Sequence, residues 1–197
     1  MEEFERVALS NQQKAREIVE DLDIVRTWQQ IGAEARLVGS LRMGLLCNHL
    51  DIDFHVYSSP VKVEESFKVV ACLASNPKVR KVEYRNLLDT EEACVEWHLW
   101  YEESPERVWQ IDMIHIETGS TYDGYFEHVA DRIVAAMTPL QREIILRLKH
   151  ETPETEKIPG IEYYRAVIQE GIRDYAAFRS YRNQHPVEGI LEWMPGK

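Results

Sequence analysis

Asp51 and Asp53 stand two residues apart in the run Asp51-Ile52-Asp53-Phe54-His55-Val56-Tyr57. Ile52, Phe54 and Val56 alternate with the polar residues, which is the period of a strand with one apolar face. Alternate strand residues point the same way, so the two carboxylates project together. Ionised carboxylates that close repel and raise each other's pKa. A divalent cation relieves the repulsion, and Mg²⁺ takes oxygen ligands from one or two carboxylates together with phosphates. Gly39 and Ser40 lie upstream, behind a short apolar strand. There a turn can present backbone N–H groups to an anion, and the hydroxyl adds a donor. Arg42 carries a fork of donors suited to phosphate oxygens. The chemistry on offer is a metal-bound phosphate site.

These pieces resemble the signature of the nucleotidyltransferase superfamily typified by DNA polymerase beta. They read Val38-Gly39-Ser40-Leu41-Arg42-Met43-Gly44 and, after a spacer, Leu50-Asp51-Ile52-Asp53-Phe54. Gly44 matches a glycine of the small bacterial members. The family needs a third carboxylate on a later strand, and Ile111-Asp112-Met113 has the right character. The resemblance covers about residues 33 to 117. It implies two Mg²⁺ ions held by Asp51, Asp53 and Asp112, and outer phosphates of ATP or another nucleoside triphosphate on Gly39 and Ser40, with Arg42 assisting. The implied reaction is in-line displacement at the α-phosphorus, with pyrophosphate leaving.

Several elements must position these groups. Ser10-Asn11-Gln12-Gln13 has the form of a capping box, and Ala15, Ile18, Val19, Leu22, Val25 and Trp28 follow at helical spacing up to Gly32. Glu34 to Val38 reads as a strand, Lys62 to Ser75 as a helix and Val79 to Arg85 as a weaker strand. Ala93 to Glu102 and Arg107 to Glu117 form a β-hairpin pattern. In-register pairing of Glu102 with Arg107 sets Trp97 opposite Asp112; a one-residue bulge sets His98 there instead. Both registers are open at this level. Glu96 and His98 are thereby the candidates for a base at the acceptor hydroxyl.

Beyond residue 118 the pattern becomes helical. Phe126, Val129, Ile133 and Met137 mark one helix, and Thr138-Pro139-Leu140-Gln141 opens another. Pro153 to Gly160 reads as a connector and Ile161 to Gln184 as one long helix. The expected class is α+β: a nucleotidyltransferase-type mixed sheet flanked by helices in residues 1–118, then a helical region over 119–197. Other candidates have simpler readings. His49 and His55 are too spread along the strand for one metal, and His115 and Glu117 read as polar-face residues. Lys149, near a helix end, reads as a solvated lysine before it reads as a phosphate contact, and Tyr163, Tyr164, Tyr175, Phe178 and Tyr181 read as packing aromatics, one of which could flank an adenine or an acceptor.

The formal net charge is −11, which argues against nucleic acid as a partner, since phosphate-gripping surfaces are usually basic. A small-molecule hydroxyl is therefore the expected acceptor, with AMP the group transferred. Protein adenylylation and a non-catalytic nucleotide- or partner-binding module of the same fold are the alternatives, and polymerase or tRNA end-addition activity, which predicts strong salt-dependent nucleic-acid binding, is a third. The three cysteines, Cys47, Cys72 and Cys94, show no ligand-pair spacing and read as reduced thiols. No apolar run approaches membrane-spanning length. These features, with an acidic N-terminus lacking a signal-peptide core, lead to the expectation of a cytoplasmic protein without a membrane association.

Overall fold

A computed structural model describes residues 1–187 and 191–196. Helix α1 (Glu3–Leu22) and the short α2 (Ile24–Gln29) precede β1 (Glu34–Val38). The turn of helix α3 (Gly39–Arg42) leads through a loop to β2 (Asp51–Ser58), α4 (Val63–Ala74), β3 (Val79–Leu87), β4 (Cys94–Ser104) and β5 (Arg107–Glu117). Four helices follow: α5 (Tyr125–Ala136), α6 (Pro139–Glu151), α7 (Gly160–Ile168) and α8 (Tyr175–Gln184).

The five strands form one mixed sheet in the order β1-β2-β5-β4-β3. Only β2 and β5 run parallel. Their crossover through α4, β3 and β4 makes residues far apart in the chain immediate neighbours. One sheet face is apolar: Ile52, Phe54, Val95, Trp97, Leu99, Trp109, Ile111 and Met113 pack against Ala15, Ile18, Leu22, Trp28, Val69, Val70 and Leu73 of α1, α2 and α4. Ile52 and Ile111 are fully buried there, so Ile52→Ala leaves a cavity and costs about 2–5 kcal/mol. A second core gathers Ile144, Ile145, Leu148, Tyr163, Val167 and Phe178 of the later helices, with Phe4 and Ala8 of α1 and Leu45 and Cys47 from the loop before β2. Helix α1 thus enters both cores and straddles the expected boundary at residue 118.

Three local expectations are corrected. Helix α1 begins at Glu3, because Glu5 accepts from the Glu2 backbone N–H at 2.8 Å and closes a capping box upstream of Ser10. The long helix expected over Ile161 to Gln184 is two helices, broken at Gly171, whose φ of +68° a continuing α-helix does not tolerate. His115 is not a polar-face residue. It lies on the core face, fully buried beside Trp28, with Ser58 Oγ 2.8 Å from its Nε2. Burial pushes its pKa down to about 4.

Cys47 and Cys94 are buried, which pushes their thiols up to about 11 and about 12, whereas Cys72 is exposed on α4. In a thiol-reagent titration of the native protein at neutral pH, Cys72 alone is expected to react, with the other two appearing only on unfolding. Rapid native labelling of Cys47 or Cys94 contradicts this packing.

Candidate active site

The parallel pairing of β2 with β5 sets Asp53 directly beside Asp112, and Asp51 beside Gln110. Neighbouring strands lie about 4.8 Å apart, so the carboxylates of Asp51, Asp53 and Asp112 line one cleft of about 1070 Å³ on the side of the sheet opposite the core. Their mutual influence is direct. Asp53 is held well above the ordinary carboxylate value, first by burial and then by the charges of Asp51 and Asp112. Burial likewise raises Asp51, with Lys149 and His49 pulling the other way and Asp112 adding to the rise.

The β4–β5 register carries the bulge, between Glu102 and Ser104, and therefore sets His98 opposite Asp112. His98 Nδ1 lies 2.6 Å from Asp112 Oδ1, and Gln110 Nε2 donates to both oxygens of that carboxylate at 2.9 and 3.1 Å. The bond to Asp112 raises the His98 pKa against the opposing effect of burial. Glu96 sits farther out, 3.9 Å from His98 and 3.7 Å from Arg85.

Gly39 follows β1 with φ +65°. A Cβ built on it meets Asp53 Oδ2 at 1.9 Å, so only glycine fits between this turn and the second aspartate. Ser40 is buried in the same cleft. The loop from Gly44 to Asn48, which joins this turn to β2, is tied from both sides. Gln12 donates to the carbonyls of Gly44 and Leu46, Asn11 to that of Cys47, and Arg142 to that of Gly44. The ends of the cleft are therefore fixed by α1 and α6, not by the sheet alone.

Arg42 does not join the group. Its guanidinium turns away to the Leu37 carbonyl at 3.3 Å and to Asp131 of α5 at 2.7 Å, and it does not line the cleft. The cation that faces the carboxylates is Lys149, corrected here from a solvated lysine to a buried one. Its ammonium donates to the Leu45 carbonyl at 3.0 Å and to the Tyr164 hydroxyl at 3.2 Å, and its charge opposes the upward shifts of Asp51 and Asp53. The helical spacing contained the signal: Lys149 lies four residues after the fully buried Ile145.

Of the C-terminal aromatics, Tyr164 alone lines the cleft, packed close enough on Gly160 that a Cβ there meets its hydroxyl at 2.6 Å. Tyr163 and Phe178 stack on each other in the second core. His55 is buried against Phe126, 3.3 Å from the Tyr57 hydroxyl, which in turn donates to Glu127 at 2.7 Å. It braces α5 on the sheet.

Among the described residues, no three His, Cys, Asp or Glu side chains are already drawn together as a closed ligand set. The donor chemistry nevertheless fits Mg²⁺. Three carboxylates share a cleft, two have pKa values raised in part by that proximity, and all ligating atoms are hard oxygens.

No protein-family model matches the chain, and no curated protein does. Solved structures do. A study of Cid1 and its RNA terminal uridylyl transferase activity gives a TM-score of 0.56 at 17% identity, covering 79% of this chain and 48% of the other. A cytoplasmic RNA terminal U-transferase gives 0.53 at 14%, covering 84% and 51%. The Cid1 poly(U) polymerase with Mg and 3′-dATP gives 0.55 at 17%, covering 79% and 48%. This chain shares the mixed α+β fold of these nucleotidyltransferases. It spans about half the length of the structures it matches.

The expectation that set nucleic acid aside as a partner is overturned by these neighbours, which act on RNA. A net charge describes the whole surface, and the fold does not require that surface to be basic. Among the described residues no helix is long and apolar enough to cross a membrane.

The raised pKa values have a measurable consequence. A carboxyl raised by folding binds its proton more tightly in the native state, so stability falls as pH rises from the ordinary carboxylate value through the raised one. Without divalent cations, Tm is expected to fall as pH rises above the ordinary carboxylate value. Asp53→Asn should flatten that fall. At pH 8, saturating Mg²⁺ should raise the wild-type Tm by roughly 5–10 °C and leave Asp53→Asn nearly unmoved. Thermal scans across pH, with and without Mg²⁺, check both.

Proposed function

We propose that this protein transfers a nucleoside monophosphate, AMP from ATP, to a hydroxyl of an acceptor and releases pyrophosphate. The observation that carries the reading is the side-by-side placement of Asp53 and Asp112 on parallel strands, with Asp51 on the same face and Gly39-Ser40 against them. A protein that only bound a partner would have no use for three mutually repelling carboxylates in one cleft.

Each residue has a part in this reading. The backbone and hydroxyl of Gly39-Ser40 and the ammonium of Lys149 bind the outer phosphates. Tyr164 and the apolar side chains of Phe126, Val129 and Ile133 line the same cleft and give a base an apolar wall to lie against. Asp51, Asp53 and Asp112 would hold two Mg²⁺ ions, which when bound would supply neutralising charge at the phosphates and lower the pKa of an attacking hydroxyl. Gln110 and His98 hold the carboxylate of Asp112 in orientation from the acceptor side.

The acceptor is read as the terminal hydroxyl of an RNA, supported by the RNA-acting enzymes built on this fold. A hydroxyl of a small molecule, the acceptor expected from the sequence, is the alternative that the acceptor panel below tests. The buried thiols Cys47 and Cys94 suit a reducing compartment, hence a cytoplasmic setting.

Purified protein with Mg²⁺, each of four nucleoside triphosphates and an acceptor panel of single-stranded RNA and polyhydroxy compounds tests the reading by pyrophosphate release. Asp53→Ala is expected to lower kcat by about 10³-fold or more. Lys149→Met, which keeps the stem but removes the charge, should raise KM for the triphosphate roughly 10- to 100-fold. Turnover unaffected by Asp53→Ala, or triphosphate binding with no turnover on any acceptor, would sink it.

A further inference from the structure

The cleft face of the sheet is covered unevenly. Helices α3 and α5 close over β1 and β2, whereas the helix that packs most on β3 and β4 is α4, from the core face. The open half begins at Asp112 and runs outward through the register His98↔Asp112, Trp100↔Gln110 and Lys81↔Trp100. Trp100 is the aromatic on it. Trp97 and Trp109 point to the other face and are buried in the core, whereas Trp100 lines the catalytic cleft and is only partly covered.

We propose that Trp100 is the stacking platform for the terminal base of a single-stranded RNA acceptor, with Lys81 as the contact to that strand's phosphate. The inference rests on the transfer reading above and extends it to the acceptor. Trp100 is the diagonal neighbour of Asp112 across the β4–β5 pair, about 7–8 Å away and within reach of a large side chain. That separation matches a nucleoside whose sugar hydroxyl lies at the third carboxylate while its base lies on the indole. Every base has a π-face, so stacking on an indole captures a strand end without demanding a sequence.

The charges agree with this occupant. Arg80, Lys81 and Arg85 of β3 pair with Glu102, Glu83 and Glu96 on the open half-face, so beyond Asp112 it is far less acidic than the chain as a whole. The Lys81 ammonium sits 4.0 Å from the centre of the Trp100 ring and 2.5 Å from Glu83. Lys81 is exposed on a flexible stem, so an arriving base takes the ring and frees the ammonium for the phosphate that joins the terminal nucleotide to the one before it. A polyhydroxy acceptor has no aromatic ring to stack and no phosphate at that position, so the same pair offers it little.

The test is affinity for a 5′-fluorescein-labelled single-stranded RNA, measured by anisotropy with Mg²⁺ and a non-hydrolysable ATP analogue over a range of salt. Trp100→Ala is expected to weaken binding about tenfold or more while Trp100→Phe stays within about threefold of wild type. Lys81→Ala should lower the slope of log affinity against log salt by about 0.7, the value for one phosphate on a single strand, and Trp100→Ala should leave that slope unchanged. Equal RNA affinity in wild type and Trp100→Ala overturns the inference. So does a wild-type protein that binds no RNA, even where it transfers nucleotide to another hydroxyl; in that case the transfer reading stands alone. Absence of pyrophosphate release with every acceptor overturns the transfer reading itself.

Discussion

The structure depends on one juxtaposition: two strands that are distant in the chain run parallel, and that pairing sets Asp53 beside Asp112. Parallel neighbours need a crossover, which here is the whole segment from Ser59 to Glu106 containing α4, β3 and β4. The apolar residues of that segment are the means of enforcing the pairing. Trp97 and Leu99 bury themselves, together with Trp109 of β5, against the same helices as Ile52 and Ile111. A one-residue slip of β5 moves Ile111 and Met113 out of the core and Asp112 into it. Hydrophobic burial on one face thus holds carboxylates together on the other, against a repulsion that raises the pKa of Asp53.

That repulsion is tempered unequally. Lys149 faces Asp51 and Asp53, while Asp112 is satisfied by Gln110 and His98. On the proposed reading, the asymmetry divides the cleft into a triphosphate side, where a fixed cation already sits, and an acceptor side, where neutral or proton-carrying donors hold one carboxylate in orientation. The C-terminal helices are therefore part of the site. Lys149 arrives from α6 and Tyr164 from α7, both anchored in the second core. The Phe4 end of α1 joins that core while its Leu22 end joins the first, which ties the two walls of the cleft to one rigid helix.

Much of this was legible in the residues. The alternation of Asp51 to Tyr57 specified a strand and its two faces, and the hairpin from Ala93 to Glu117 was written in alternating segments around Ser104-Pro105. Local signals failed where the deciding contact was distant. Nothing near Arg42 announces Asp131, 89 residues on, so a guanidinium suited to phosphate ends as a clamp between α3 and α5. Lys149 reads as a surface lysine until Ile145 and Leu148 are known to face inward. The hairpin register could not be chosen from the turn, because the bulge at Glu103 is stabilised by its side chain, which accepts from Arg107 and from the Trp109 indole.

The charge argument failed for a different reason. Net charge sums every side chain, but capture of a strand end depends on the few groups within a Debye length of the bound phosphates, about 8–10 Å at ordinary salt. On the open half-face of β3 and β4 the basic and acidic residues are matched in pairs, so the far acidic surface is screened there and bases can contribute by stacking. An enzyme gripping a long duplex needs a basic tract to do so. One that holds the last nucleotide of a strand needs a ring, a phosphate contact and a hydroxyl delivered to Asp112, and a chain of net charge −11 can supply all three.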